Sequence, residues 1–235
     1  MNKINNSFFY HGLQKSGKTT HLFHVYAHDY HHGLPDLCLN LYPGDQARYF
    51  HRTLPYMSCP LGQLDTLSLP YKAQESFNLK GKWTIAFNDF YTQHPKIGHV
   101  LIDEATGFPA NDLKTVLLLI RNFYPKAPIL MTGVRFDAWG HNLAAGTWLL
   151  KHVSHVIQTH HKCMLCNRNA TRQLHVVAGH PIYDEHRYYR IVLSHRYSNH
   201  RMFIFTVCDH HYHHLPDHFI QKIAANIHRS HHQNY

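Results

Sequence analysis

The sequence predicts an α/β fold, a parallel sheet with helices on its faces followed by a small β-rich module, on three observations. Apolar runs at residues 36–41, 99–103 (HVLID) and 127–133 (APILMTG) read as strands, the last two as strands buried on both faces. Helical patterns at 19–31 and 111–123 alternate with them, as in parallel α/β domains. From about residue 159 the character changes to closely spaced Cys, then Arg, Tyr and His alternating with apolar residues.

In chain order, residues 7–10 (SFFY) form a short aromatic strand, followed by a glycine-containing loop and the helix over 19–31. Residues 149–158 accommodate either a helix or a strand. Pro216 opens a short helix over 217–228, and the tail 229–235 frays. The boundaries that follow are a core at 1–158, a small module at 159–215, and a C-terminal helix and tail at 216–235. There are no internal repeats, and tracts such as HHYHHL are a compositional bias.

The chain has 235 residues, 44% of them hydrophobic and 13% aromatic, which suffices for a buried core and excludes wholesale disorder. Asp, Glu, Lys and Arg make up only 16%, and 27 histidines take up the difference. The formal charge of +9 favours polyanionic partners, namely nucleotides, nucleic acid or acidic membrane, without choosing among them. The five cysteines, Cys38, Cys59, Cys163, Cys166 and Cys208, are odd in number and uneven in spacing, unlike a secreted disulfide framework. The opening MNKINNSFFY lacks the apolar core of a signal peptide, and the longest apolar stretch, near 116–120, falls far short of a membrane span. The expectation is a reduced, cytoplasmic chain with no membrane partner.

Residues 12–19 read GLQKSGKT and match GxxxxGK(S/T) in full, between a predicted strand and a predicted helix. In that pattern the amides of Gly12, Leu13, Gln14, Lys15, Ser16 and Gly17 face a nucleotide's phosphates. Lys18 reaches the β and γ phosphates, and Thr19 coordinates Mg²⁺. Such a loop implies a carboxylate on a neighbouring strand. Asp103 and Glu104 close the 99–103 strand at its carboxyl end, Asp103 suited to the Mg²⁺ shell and Glu104 to a general base. The core is thus a P-loop, nucleotide-binding one. The plainer alternative is an ordinary strand–turn–helix junction beside a solvated strand end.

Cys163 and Cys166 form CxxC, and Cys208 and His211 form CxxH, together the S₃N set of a structural Zn²⁺ site. The intervening residues 167–207 are more than a compact ribbon needs. His210, His213 and His214 compete with His211 for the fourth position, and a redox CxxC with an unrelated Cys208 is the alternative. Cys38, in an apolar run, suits a core position.

In one order, SGKTTHL, LIDEA, GVRFDAWG, CMLCNRNATR and VCDHHY resemble the type II thymidine kinases, a zinc-containing family, over residues 1–212 with gaps. The resemblance implies that Lys18 and Thr19 bind ATP and Mg²⁺ and that Glu104 takes the proton of a deoxynucleoside 5′-hydroxyl. It implies that YPGDQAR supplies Asp45 and the catalytic cation Arg48, and that Cys163, Cys166, Cys208 and His211 hold zinc. Residues 167–207 become a lasso over the nucleoside, and the assembly a homotetramer. Departures from the family pattern cluster on the acceptor side. Thr106 and Gly107 stand for Gln-Phe, Ala138 for a Phe that packs on the base, and Asn199 and His200 for Gly-Gly. Ile204 stands for Tyr, flanked by Phe203 and Phe205. Either the base is held by lasso backbone and specificity survives, or the wider pocket takes another nucleoside.

The expected function is a thymidine or closely related deoxynucleoside kinase in nucleotide salvage, using ATP and Mg²⁺ with structural Zn²⁺. The alternatives are a P-loop ATPase whose zinc module binds nucleic acid, motivated by the charge and by the Arg- and Tyr-rich residues 187–205, and a degenerate nucleotide-binding homologue. The 26 histidines other than His211 are expected at the surface in place of Lys and Arg.

Overall fold

The computed structural model describes residues 3–14, 16–40, 88–137, 139–177, 180–183, 202–216 and 218–219. Its contacts divide the chain into two compact units. The first holds Met1–Gly12, Gly17–Arg135 and Asn142–Thr159, and the second holds Leu13–Ser16, Phe136–His141 and His160–Tyr235.

The first unit is a mixed α/β layer structure. Its strands are β1 (Ile4–His11), β2 (Leu37–Asn40), β3 (Val100–Asp103), β4 (Ile129–Gly133) and β5 (Val153–Gln158). They form one sheet in the order β2-β3-β4-β1-β5, with every pairing parallel. Period-two alternation sends neighbouring side chains to opposite faces. Phe9, Leu37, Leu39, Ile102, Ile129 and Met131 share one core, and Cys38, Leu101 and Leu130 share another with Leu22 and Tyr26. Burial on both faces is why the strands read as continuous apolar runs. Burial also pushes the Cys38 thiol well above its usual range.

Helix α1 (Lys18–His31) covers the Leu22 face. It ends in a Schellman turn, with Leu34 N–H donating to the Asp29 carbonyl at 2.9 Å around the left-handed Gly33. Helix α2 (Ala110–Phe123) buries Leu113, Val116, Leu117 and Ile120, the i, i+3, i+4, i+7 stripe of an amphipathic helix. Arg121 in its last turn donates to the carbonyls of Ala127 (2.6 Å) and Asn5, fastening the helix end to the entry of β1. Helix α3 (Ala144–His152) runs directly into β5, so residues 149–158 are helix first and strand after.

The second unit carries a three-stranded antiparallel sheet, β7-β6-β8, from β6 (Arg172–Val177), β7 (His180–Ile182) and β8 (Met202–Val207). A one-turn helix, α4 (Asp209–His213), follows. The C-terminal helix expected over 217–228 lies outside the described residues except for 218 and 219, which are helical. Among the described residues no helix is long and apolar enough to cross a membrane.

The expectation that the remaining histidines sit at the surface needs correcting. His11 and His175 are buried, and His99 is partly buried against the carboxylate of Asp29. In β1 and β6 these imidazoles occupy core-facing positions, where a ring's apolar body packs well. Asp36, immediately before β2, accepts the His99 backbone N–H and is pushed up to about 8 by burial and by neighbouring Asp29.

Ile102 is fully buried at the centre of the larger core. Ile102→Ala is expected to cost about 2–5 kcal/mol of unfolding free energy. Leu118→Ala, at a side chain 62% exposed, is expected to cost less than about 0.5 kcal/mol, both read from urea denaturation.

Candidate functional site

Residues of the GLQKSGKT segment in the first unit stand where β1 gives way to α1. Gly17 has φ +81°, a conformation open to glycine and strained for other residues, and this lets the chain turn from loop into helix. Lys18 opens α1, is almost fully buried, and donates from Nζ to the Gly12 carbonyl at 3.2 Å. Burial lowers its ammonium pKa, opposed by the charges of Glu104 and Asp103.

Those carboxylates sit at the carboxyl end of β3. Thr19 Oγ1 donates to Asp103, 3.0 and 3.2 Å from its two oxygens. Thr132, fully buried in β4, also donates to Asp103, and its hydroxyl accepts the Glu104 backbone N–H at 3.1 Å. Glu104 has φ 51° and ψ 39°, a left-handed conformation that an L-residue holds only against strain. Burial raises the Asp103 pKa against the hydrogen bonds of Thr132 and Thr19. Glu104 is raised by burial and then by Asp103, with Lys18 pulling it back. The result is one cation, two carboxylates and two hydroxyls in mutual electrostatic reach at the top of a parallel sheet. The Thr19 hydroxyl and Asp103 carboxylate are hard oxygen donors of the kind Mg²⁺ takes.

Leu13, Gln14 and Ser16 group with the second unit, where Ser16 N–H donates to the Leu13 carbonyl at 3.4 Å. Lys15, Asp45, Arg48, Ala138, Asn199 and His200 lie outside the described residues. Phe203 and Ile204 lie on β8, Phe203 opposite Val176 and the half-buried Ile204 opposite His175. Thr106 is buried and structural, its hydroxyl accepting the Val134 N–H at 3.0 Å. Asp137 closes a turn of its own, accepting the N–H groups of Trp139 and His141 at 2.9 Å each.

In the second unit the four predicted ligands converge. Cys163 Sγ and Cys208 Sγ lie 3.4 and 3.5 Å from His211 Nδ1, and Cys166 Sγ lies 3.9 Å from Cys208 Sγ. Tetrahedral zinc, with Zn–S near 2.3 Å and Zn–N near 2.0 Å, requires ligand–ligand separations of about 3.5–3.8 Å. The set therefore fits. A disulfide does not, because these sulfurs are free and nearly twice the S–S bond length apart. The knuckle is built locally. Leu165 N–H donates to Cys163 Sγ at 3.4 Å, Cys163 N–H donates to the Arg168 carbonyl at 2.8 Å, and Cys208 caps α4 so that His211 comes round one turn later. Arg168 Nε donates to Cys166 Sγ, and such bonds lower that thiol to about 6, favouring the ligating thiolate. Of the competing histidines, the cluster takes His211 and not His210, His213 or His214. The Cys163, Cys166, Cys208 and His211 cluster can hold a zinc ion.

Set against known proteins, the chain matches no family model and no curated protein. Fold and clusters together define a mixed α/β protein with a five-stranded parallel sheet and a Cys₃His centre. Thr132 escaped the reading of the sequence. Its one signal was a hydroxyl in the otherwise apolar run APILMTG.

Thr132→Val removes a donor from Asp103 and an acceptor from Glu104 N–H. It is expected to lower stability by about 1–3 kcal/mol, measured by thermal unfolding. Cys166→Ser is expected to weaken cobalt binding and to lower the thiolate-to-metal charge-transfer band of cobalt-loaded protein, to which Cys163 and Cys208 still contribute. It should also speed amide exchange in β6 and β8 while β1 and β4 stay protected.

Proposed function

We propose that this protein is an ATP-dependent deoxynucleoside kinase of the type II thymidine kinase kind, acting in cytoplasmic nucleotide salvage. It moves the γ-phosphoryl group of ATP to the 5′-hydroxyl of thymidine or a close deoxynucleoside. The observation that supports this most is the meeting of Lys18, Thr19, Asp103 and Glu104 between β1, β3 and the start of α1. The match of residues 12–19 to a phosphate-binding loop adds to it.

In this reading the amides of residues 12–17 and the N-terminus of α1 cradle the triphosphate, and Lys18 supplies a cation at the transferring group. ATP supplies the phosphoryl group, and Mg²⁺ held by Thr19 and Asp103 shields its charge. Glu104 accepts the proton of the attacking hydroxyl, the role for which burial has strengthened its basicity. Arg48, with Asp45 beside it, stabilises the charge that develops in flight. Ala138, Asn199, His200, Phe203 and Ile204 belong to the nucleoside side. The zinc centre is structural, and the working assembly is a homotetramer.

The test is purified full-length protein with ATP, Mg²⁺ and each deoxynucleoside in turn, with monophosphate quantified. Thymidine is expected to be phosphorylated. Glu104→Gln is expected to lower kcat by about 10²–10⁴-fold with ATP affinity retained. No monophosphate from any nucleoside, with ATP still bound, would sink the reading.

A further inference from the structure

The amino ends of β2 and β3 carry a cluster that the phosphate-loop chemistry does not use. Asp29 sits in the last turn of α1, Asp36 immediately before β2 and His99 immediately before β3. His99 is four residues from Asp103, or about 13 Å along the strand. We propose that Asp29, Asp36 and His99 form a second metal site, separate from the Cys₃His centre, for a divalent cation of the zinc class.

Four observations carry it. One ligand atom from each of Asp29, Asp36 and His99 lies within 4.8 Å of the others. Both carboxylates are 2% exposed, yet Asp36 Oδ2 is buried with no hydrogen-bond partner. Its other oxygen is spent on the His99 backbone N–H at 2.7 Å. A carboxyl oxygen so placed has lost its water, which costs free energy unless the group keeps a proton or a cation meets it.

Third, the remaining contacts orient the ligands. Asp29 Oδ1 lies 3.0 Å from His28 Nδ1, while Oδ2 faces His99 Nδ1, the arrangement by which an outer imidazole steadies a ligating carboxylate. Fourth, Gly98 leaves the space. A Cβ there would come within 2.1 Å of Asp29 Oδ2 and 2.8 Å of Asp36 Oδ1. His99, its side chain 27% exposed, gives the cluster its way to solvent.

The donor set selects the ion. One imidazole and two carboxylates suit zinc and its neighbours, whereas Mg²⁺ and Ca²⁺ prefer oxygen-only shells of six or more. With both carboxyls ionised the two aspartates carry two negative charges, which one divalent cation cancels. Bound there, it would tie the end of α1 to the entries of β2 and β3. The site is independent of the kinase reading.

The experiment is a Co²⁺ titration of metal-stripped, nucleotide-free full-length protein, with Zn²⁺ content measured in parallel. Two equivalents per chain are expected, one with an intense near-ultraviolet thiolate band and one with weak visible bands alone. Asp36→Asn, whose amide oxygen can still accept the His99 N–H, and His99→Gln are each expected to lose the second equivalent and keep the first. Asp103→Asn is expected to keep both. A single, thiolate-bound equivalent in the wild-type chain overturns the proposal and leaves the two carboxyls sharing a proton. So does a second equivalent that survives Asp36→Asn and His99→Gln or vanishes in Asp103→Asn. The wild-type count decides even if a variant fails to fold.

Discussion

A parallel sheet buried on both faces leaves charge a place only where its strands end, and that constraint organises the first unit. Along β3 and β4 every residue before the terminus is apolar or, like Thr132, has its polar atom satisfied inside. Asp103 is the first carboxylate the strand can carry, and it survives burial because Thr19 and Thr132 both donate to it. Those hydrogen bonds favour its ionised form, against the upward pull of burial. Lys18 depends on the same arrangement from the other side, since a buried ammonium holds its charge only with anions nearby.

Glu104 shows what the constraint costs. Its backbone is left-handed, a conformation worth roughly 1–3 kcal/mol of strain, and it is kept there by one hydrogen bond into β4 and by the 3₁₀ turn that follows at Ala105–Gly107. A strand continuing normally would have carried the next side chain to a sheet face. The reversal keeps the Glu104 carboxylate in electrostatic reach of Lys18 and Asp103.

The second unit works by a different economy. Among the described residues its buried apolar cluster holds Leu174, Val176 and Val207 beside two of the cysteines themselves. Metal binding is a common supplement to burial in small modules. Placing ligands within the core, as Cys163 and Cys208 are, makes the cross-link and the packing one structure.

What could be read in advance was local in the chain. The GLQKSGKT segment, the CxxC and CxxH pairs and the apolar strand runs each declare themselves within about ten residues, because backbone conformation and ligand bite are short-range properties. The α/β class followed from their alternation. Choices between equals were open, such as His211 against its neighbours, or helix against strand at 149–158, where one element simply follows the other. What only the tertiary structure decided was pairing across distance. Thr132 meets Asp103 and Glu104, Thr106 meets the Val134 N–H, and Asp29, Asp36 and His99 converge from three elements. No spacing encodes such meetings, since they depend on which strands lie side by side, and β3 joins β4 and β2 only once the sheet has assembled.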